Sequence, residues 1–267
     1  MTGSASDLIS ALELRAGDLV ALVGAGGKTS LMYRLAAELR RVGVKAAAGT
    51  TTKIALPAQE EGTLFCVGSF EEAAERVRSH EGVPVLAGKV LENGKVRGIP
   101  PEWCDRLVSE GGVEVLLVEA DGSARKALKA PEAWEPVVPA GTTAFVALAG
   151  LTVLGRSLGE EAVFRPERVS AVTGFPLGAP VTVELLAALF TAGEGLLRGR
   201  PRGARAYAFL NQIDTPDALT SARRVAAGIL ASERYRRVIG AALRESEPLK
   251  FVAGQGDPPM ERASPLG

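Results

Sequence analysis

The amino-acid sequence predicts an α/β protein in which a mostly parallel β-sheet lies between two layers of helices. Short apolar runs suited to buried parallel strands alternate with longer segments of helical periodicity. Hydrophobic residues make up 46% of the chain but aromatic residues only 5%, so aliphatic side chains must fill the core. Such cores are typical of parallel sheets covered by helices. The predicted architecture has three layers and a small β-hairpin insertion.

The first structural unit is predicted near the N-terminus. Residues 18–24 (DLVALVG) form an apolar run that ends in glycine, and the leucines of residues 31–41 fall at helical spacing. This order predicts a strand, a glycine-rich turn and a helix. A second strand, predicted at residues 44–49, completes a βαβ unit with a right-handed crossover.

The remaining elements follow the same alternation. Strands are predicted at residues 64–67, 83–87, 113–119, 143–148 and 206–210, and helices at residues 70–79, 101–110, 166–173, 181–193 and 217–231. Residues 92–95 (ENGK) are typical of a hairpin turn. Residues 235–243 fit a strand or a helix, and a strand is preferred. We expect residues 1–253 to form one domain and residues 254–267, with their Gly and Pro content, to form a flexible tail.

Composition and charge exclude several classes of function. Lys plus Arg and Asp plus Glu are equal at 31 each, so no overall field attracts nucleic acid. The absence of an apolar run of about 18 residues and of a signal peptide predicts no membrane partner and a cytoplasmic location. The two cysteines are far apart, which suits a reducing compartment without a disulfide or zinc framework. A single histidine, His80, excludes a histidine-based triad or histidine-rich metal site.

A glycine-rich segment lies between the first predicted strand and helix. Residues 24–30 (GAGGKTS) stand where a phosphate-binding loop is required, and backbone amides of such a loop converge on phosphate oxygens in front of a helix N-terminus. Lys28 would reach the β and γ phosphates, and the Thr29 hydroxyl would complete the coordination of Mg²⁺. The alternative is a turn that only joins strand to helix. The residues expected to bind a magnesium–nucleoside triphosphate are Gly24, Ala25, Gly26, Gly27, Lys28, Thr29 and Ser30.

Polar residues follow the next strand as well. Residues 50–53 (TTTK) lie at its carboxyl end, where ligands gather in open α/β sheets. The hydroxyl of Thr51 could hold Mg²⁺ or its waters, and Lys53 could add charge at the γ phosphate. A threonine run after a strand is also common in turns.

The clearest buried strand, within residues 113–123 (VEVLLVEADGS), ends in two acids. Glu119 and Asp121 would share the metal ion, and one of them would orient the attacking water, as in a Walker B strand. Alternatively, one of them caps a loop or pairs with Arg125 or Lys126.

Three cations follow those acids. Arg125, Lys126 and Lys129 could stabilise charge on a transferring phosphoryl group, or could be a solvated helix face.

Residues 211–214 (NQID) follow another predicted strand. They resemble the NKxD base-recognition motif of GTPases, with Gln212 in place of lysine. Asn211 and Asp214 would then contact the base, and Asp214 would favour GTP over ATP. Asp214 could instead be the N-cap of the following helix.

Together, GAGGKTS, TTTKI, LLVEADGSARKALKAP, LTVLGRSL, FRPERV and FLNQID resemble the YqeC-like accessory proteins for selenium-dependent molybdenum hydroxylases. The resemblance extends over about residues 10–253. It implies a P-loop NTPase-like fold and a role in maturation of those hydroxylases, with a molybdenum hydroxylase or a selenium-transfer protein as partner. The matched site residues are Gly24, Gly27, Lys28, Thr29, Thr51, Lys53, Glu119, Asp121, Lys126, Lys129 and Asp214.

Three functions are compatible with these residues. The first is a slow, magnesium-dependent NTPase whose nucleotide state gates maturation of a partner enzyme, with the basic loop at residues 198–205 (RGRPRGAR) as a candidate partner surface. The second is a small-molecule kinase or ligase, because the GxxGKT loop resembles that of the Mur ligase group. The third is a chaperone that binds a nucleotide or cofactor without chemistry.

Overall fold

A computed structural model describes residues 7–55 and 62–255. The strands, numbered in chain order, are β1 (Asp18–Gly24), β2 (Ala46–Thr50), β3 (Lys53–Ala55), β4 (Thr63–Cys66), β5 (Pro84–Ala87), β6 (Lys89–Val90), β7 (Lys95–Arg97), β8 (Val115–Glu119), β9 (Leu128–Lys129), β10 (Ala144–Gly150), β11 (Val163–Phe164), β12 (Arg205–Asn211), β13 (Arg237–Ala241) and β14 (Leu249–Gly254). The helices are α1 (Asp7–Ala11), α2 (Lys28–Arg41), α3 (Phe70–Ser79), α4 (Pro101–Ser109), α5 (Pro166–Thr173), α6 (Val183–Thr191) and α7 (Pro216–Leu230).

A nine-stranded sheet organises the fold in the order β14-β13-β12-β10-β1-β8-β2-β5-β4. Its strands pair in parallel except for β14, which is antiparallel to β13 at one edge. From β1 the chain first crosses towards β2, and after β8 it crosses over β1 to β10 on the other side. The winding thus reverses at β1, and ligands of such sheets bind at the carboxyl ends of the strands near that reversal.

Helices cover both faces of the sheet, so the predicted three-layer α/β class is confirmed. Alternation along β1 shows the two faces, because successive side chains on a strand point to opposite sides. Val20 and Leu22 pack in a core with α1 and α2, whereas Ala21 and Val23 pack in a core with α5, α6 and α7. Leu19, on the same face as Ala21, joins a third core beneath α3 and α4.

The predicted hairpin is present, and it belongs to a small sheet of three strands. β6 and β7 pair antiparallel around a turn closed by the Leu91 amide and the Lys95 carbonyl at 2.7 Å. β3 adds to the other side of β7, a pairing that the sequence patterns did not predict. Ile54 and Val96 point into the core shared with α2.

The opposite face of this small sheet is rich in cations. Lys53, Arg97 and Lys89 lie directly opposite one another across the three strands, and Lys95 lies two residues from Arg97 on the same side. All four side chains are exposed and make no hydrogen bond or ion pair with another described residue. We call these four residues the basic face.

Most predicted elements are confirmed, with ends that shift by one to three residues. The strand at residues 18–24 and the helices at residues 70–79 and 166–173 have the predicted bounds. The preferred strand at residues 235–243 is confirmed as β13. The predicted tail lies outside the described residues, apart from its first two positions, 254 and 255.

Candidate functional site

The phosphate loop, residues 24–30, joins β1 to α2 at the carboxyl edge of the sheet. Gly24 and Gly26 have φ angles of 93° and 84°, which residues with side chains rarely adopt. A Cβ atom on Gly24 would lie 2.3 Å from the carbonyl oxygen of Leu148, and one on Gly26 would lie 2.2 Å from the amide nitrogen of Gly150. Glycine at both positions therefore lets the loop pack directly against β10.

The loop divides its amide groups between the protein and the open side of the turn. Gly24 N donates to the carboxylate of Asp121 at 3.1 Å, and Gly26 N donates to the carbonyl of Lys126 at 3.1 Å. The amides of residues 27–30 find no hydrogen-bond acceptor in the described part of the chain. Unpaired amides at a helix N-terminus carry partial positive charge, so this end of α2 can bind an anion.

The two remaining loop positions, Ala25 and Ser30, differ in exposure. Ala25 is fully buried, and its amide donates to the carbonyl of Leu148 at 3.0 Å, so it fixes the loop to β10. Ser30 is exposed. Its unpaired amide, rather than a buried side chain, belongs to the anion-binding end of α2.

Lys28 is the first residue of α2 and is only 2% exposed. Its Nζ atom donates to the carbonyl of Gly24 at 2.5 Å and lies 3.1 Å from Asp121 and 3.6 Å from Glu119. Burial disfavours its charged form, but the charges of Asp121 and Glu119 outweigh burial and raise the pKa of Lys28. Lys28 is thus a buried ammonium group beside the unpaired amides.

Glu119, the last residue of β8, is 5% exposed and accepts a hydrogen bond from the Thr29 hydroxyl at 2.8 Å. Burial raises the pKa of Glu119, and the opposing effects of Lys28 and Thr29 are smaller. Among the described residues, no group of three or more His, Cys, Asp or Glu side chains could hold a metal ion by itself. Mg²⁺ takes one or two carboxylates and keeps waters and phosphate oxygens as its other ligands, so the Thr29 and Glu119 pair fits this ion.

A series of alternating charges connects Lys28 to the surface. Asp121 lies 3.1 Å from Lys28 and 3.0 Å from Lys129. Glu135 lies 2.7 Å from Lys129 and 2.9 Å from Arg165. We call these five residues the buried ion chain, since only the Arg165 side chain, at 30%, is exposed beyond 13%. The buried ion chain fixes the position of Asp121, and Asp121 in turn accepts a hydrogen bond from the first amide of the phosphate loop.

Lys129 has no free hydrogen-bond donor in this arrangement. Its ammonium group has three N–H bonds, and it contacts the Gly122 carbonyl at 2.7 Å, Glu135 at 2.7 Å and Asp121 at 3.0 Å. Its side chain is also fully buried. The structure therefore makes Lys129 a residue that positions Asp121, in place of the predicted contact with a transferring phosphoryl group.

Lys126 contributes its backbone to the site. Its carbonyl accepts from Gly26 N, while its Nζ atom donates to the carbonyl of Glu161 at 2.9 Å, so the predicted catalytic role would require Lys126 to leave that carbonyl. Glu119 and Asp121 do not form the alternative ion pair with Lys126 or Arg125. Their partners among the described residues are Lys28 and Lys129.

The residues that follow β2 are separated by the structure. Thr51 lies beside β8, where its amide donates to the Glu119 carbonyl at 3.2 Å, and its hydroxyl donates to the carbonyl of Val137 at 2.6 Å. Lys53 is on the basic face, with its backbone in β3. Thr51 is thus near the Glu119 end of the site, and Lys53 belongs to an adjacent surface.

Asn211 holds the phosphate loop from a third strand. It is 5% exposed, donates from Nδ2 to the Gly26 carbonyl at 2.7 Å, and accepts a hydrogen bond from the Leu243 amide at 3.1 Å. A Cβ atom on Gly27 would lie 2.4 Å from the same Nδ2 atom, so Gly27 makes room for this contact. The side chain predicted to contact the base therefore supports the loop.

Asp214 is exposed at the carboxyl end of β12 and makes no ion pair or hydrogen bond with other described residues. The N-cap of α7 is Thr215, whose side chain accepts from the Ala218 amide, so Asp214 does not have the alternative capping role. Gln212, at the lysine position of the NKxD pattern, accepts from the Thr152 hydroxyl at 2.6 Å.

Two contributors to the site were not predicted from the sequence. Glu135 lies in an irregular segment (EAWEP), and no spacing connects it with Lys129 or Arg165. The supporting role of Asn211 was also missed, although its place at the carboxyl end of a strand that neighbours β10 could have indicated a contact with the loop.

Comparison with known proteins identifies relatives of the chain. The family described as "YqeC protein" matches residues 20–167, the segment from β1 to the start of α5. The uncharacterized protein YqeC of Escherichia coli (strain K12) is 32% identical over 194 residues, which cover 73% of this chain and 75% of the relative. None of the described helices is both long and apolar enough to cross a membrane.

The matched segment contains the phosphate loop, Glu119, Asp121 and the whole buried ion chain. Asn211 and Asp214 lie beyond it. The family match spans more than half of the chain, and the relative confirms it over most of its length. The chain belongs to the YqeC family.

Proposed function

We propose that the protein binds a magnesium–nucleoside triphosphate at the phosphate loop and hydrolyses it slowly. One observation carries the proposal: the unpaired amides of residues 27–30 lie beside the buried ammonium group of Lys28 and the pair formed by Thr29 and Glu119. This combines a positively charged anion site with the ligand types that Mg²⁺ prefers.

The residues of the chain would have distinct tasks. The amides would bind the phosphates, and Lys28 would move from the Gly24 carbonyl and Asp121 to phosphate oxygens. Thr29 and Glu119 would hold the Mg²⁺ ion, which would supply positive charge to neutralise the phosphates. Asp121 keeps its bond to Gly24 N and stays paired with Lys129, so the loop retains its shape as Lys28 moves.

The exposed carboxylate of Asp214 supports GTP as the preferred nucleotide. Because Thr215 caps α7, Asp214 is free to accept two hydrogen bonds from guanine, which adenine cannot donate. The lysine of the NKxD pattern is replaced by Gln212, whose side chain faces Thr152, so only part of that pattern is available.

The biological role that we propose is maturation of selenium-dependent molybdenum hydroxylases. Membership of the YqeC family supports it through the resemblance noted above, although the E. coli relative carries no described activity in its name. Nucleotide binding would order the segment after β8, which contacts the loop through Lys126, and hydrolysis would release it. Turnover would then be slow alone and faster with the partner. The loop at residues 198–205 is a weaker partner surface than its sequence indicates, because Arg198, Arg200 and Arg205 contact the protein itself.

Calorimetric titration tests the nucleotide site. We expect non-hydrolysable GTP and ATP analogues to bind the wild type in the presence of Mg²⁺, and binding to fall at least about 100-fold in Lys28→Ala, since a phosphate contact from a buried cation is lost. Asp214→Ala is expected to remove any preference for GTP without affecting Mg²⁺ dependence. Arg202→Ala, which changes an exposed cation on the loop before β12, is the matched control.

The outcomes separate the three functions that the sequence allows. Absence of binding by either analogue, with the wild type folded, would refute the proposal. A kinase or ligase would be identified if the analogues bind and natural GTP or ATP is consumed rapidly only when a small-molecule acceptor is added. Binding with no turnover, even with the partner enzyme, would identify a chaperone.

A further inference from the structure

A tight turn with unfavourable backbone angles follows Glu119 and Asp121. It spans Ser123–Lys126 and is closed by a hydrogen bond from the Lys126 amide to the Ser123 carbonyl at 2.9 Å. Its central residues, Ala124 and Arg125, have φ angles of 48° and 60°. Turns with positive φ at both central positions strongly favour Asn and Gly, because a Cβ atom is strained there. Such strain in native proteins clusters at functional sites.

The same turn is fixed to the phosphate loop. The Lys126 carbonyl accepts from Gly26 N at 3.1 Å, and the Ala127 carbonyl accepts from Gly150 N at 2.8 Å. Arg125 is one residue from the first of these contacts. Its backbone therefore lies close to the phosphate loop, and its side chain extends roughly 6 Å from there, given bonds of about 1.5 Å.

The other two cations of this segment are occupied. Lys129 uses its donors on Gly122, Glu135 and Asp121, and Lys126 donates to the Glu161 carbonyl. Arg125 is exposed. Its guanidinium makes no hydrogen bond, ion pair or ring contact with any described residue, that is, with any residue within 7–55 or 62–255. It is therefore the cation of this segment that can meet a ligand without first breaking a bond to the protein.

We infer that Arg125 contacts the γ phosphate of the nucleoside triphosphate and stabilises the transition state of its hydrolysis, an inference that rests on the proposed function. In that step the oxygen of water bonds to the γ phosphorus, and the bond from phosphorus to the β,γ-bridging oxygen breaks. The electron pair stays with the nucleoside diphosphate, and the proton of the water leaves with inorganic phosphate or to solvent. A planar guanidinium matches the oxygens of the γ phosphoryl group, and its charge is most useful when their negative charge grows.

Three substitutions at one position test this role. Arg125→Ala removes the guanidinium, and Arg125→Lys keeps the charge without the planar donors. Arg125→Gly removes the side chain and also removes the strain that a Cβ atom causes at positive φ. We expect single-turnover hydrolysis to fall at least about 100-fold in Arg125→Ala and Arg125→Gly, and by less in Arg125→Lys. Arg125→Gly should unfold at the same or a higher temperature than the wild type, so its loss of turnover would not come from loss of structure.

A second readout does not depend on turnover. The wild type should bind nucleoside diphosphate with aluminium fluoride, a mimic of the transferring phosphoryl group, more tightly than the diphosphate alone. Arg125→Ala should lose most of this gain and keep its affinity for the diphosphate within about threefold, because the contact is made mainly in the transition state. Arg202→Ala, an exposed arginine without a described partner on the loop before β12, should behave as the wild type.

The failure of this inference can be distinguished from the failure of the proposed function. Wild-type turnover that is unchanged in all three variants would overturn the role of Arg125 and leave the nucleotide site intact. An equal loss of diphosphate and transition-state-mimic binding would also overturn it, since that pattern describes uniform binding. A wild type that binds no nucleotide would overturn both.

Discussion

The buried ion chain and the basic face place positive charge in opposite ways. In the buried ion chain each cation lies within 3.1 Å of at least one carboxylate, and Lys129 is fully buried. On the basic face Lys53, Arg97 and Lys89 are exposed and lie opposite like charges. The first arrangement fixes the geometry of a loop, whereas the second leaves its charges available to solvent and solutes. The comparison shows that exposure and partners, more than the number of cations, determine what a basic cluster does.

The largest effect is expected in the buried ion chain. Lys129→Met should lower the free energy of unfolding by about 3 kcal/mol or more, because Asp121 and Glu135 lose a shared partner in a buried place. Urea unfolding of wild type and variant measures the difference. Lys126→Met, which removes one contact to a carbonyl, should cost less than about 1 kcal/mol. Equal decreases in the free energy of unfolding in the two variants would contradict the assignment of Lys129 as the centre of the buried ion chain.

An intermediate effect concerns the pH dependence of Glu119, whose pKa is raised above the ordinary glutamate value by burial. A raised carboxyl pKa means that the folded state holds the proton more tightly, so its contribution to stability is full at low pH. That contribution is lost as pH rises from the unfolded value through the folded one, by up to about 1.4 kcal/mol per pH unit. The stability of wild type minus that of Glu119→Gln should therefore fall across this window.

The same titration should control metal binding. Mg²⁺ requires ionised Glu119, so the magnesium-dependent part of nucleotide affinity should decline at a pH above the ordinary glutamate range as the solution is acidified. Glu119→Gln should bind nucleotide with little dependence on Mg²⁺ or on pH in that range. A wild-type midpoint at or below 4.5 would show that Glu119 is not held as the structure indicates.

The smallest effect is expected on the basic face. Arg97→Gln removes the middle charge of the row formed with Lys53 and Lys89, and should raise the free energy of unfolding by about 0.2–1 kcal/mol at low salt. The gain should shrink at 1 M salt, where the Debye length is about 3 Å. Arg202→Gln, an exposed arginine outside the row, should change little under either condition. A destabilised Arg97→Gln would mean that the row has counter-ions and that the contrast with the buried ion chain is smaller than described.

Local patterns predicted the parts of the fold whose signals lie within one segment. The glycines of residues 24–30 end β1, and β1 was predicted with correct bounds. Pro166 begins α5 and Gly174, in the αL conformation, follows its last residue, so α5 was predicted with correct bounds as well. β8, which ends at Glu119, was predicted from its apolar run. Such a run is typical of a strand that is covered on both faces.

Contacts between distant segments could not be predicted in the same way. β3 has three residues, and it forms because β7, some forty positions later, provides hydrogen-bond partners. Lys129 was predicted as a phosphate contact because its charge follows two acids, but its environment depends on Glu135 in an irregular loop. Its burial, which decides the question, is a property of packing that no spacing encodes.

The insertion of β8 between β1 and β2 has a consequence for how the chain folds. β1 and β2 are joined by α2, but they do not pair with each other, since both pair with β8, a strand far later in the chain at Val115–Glu119. The phosphate loop, although it precedes all three in the sequence, is then held by Asp121, Leu148 and Asn211. Pairings of such long sequence separation form slowly. The contacts that hold the phosphate loop are therefore complete only after β12 has left the ribosome, and ligand binding during synthesis would report the addition of β12 to the central sheet.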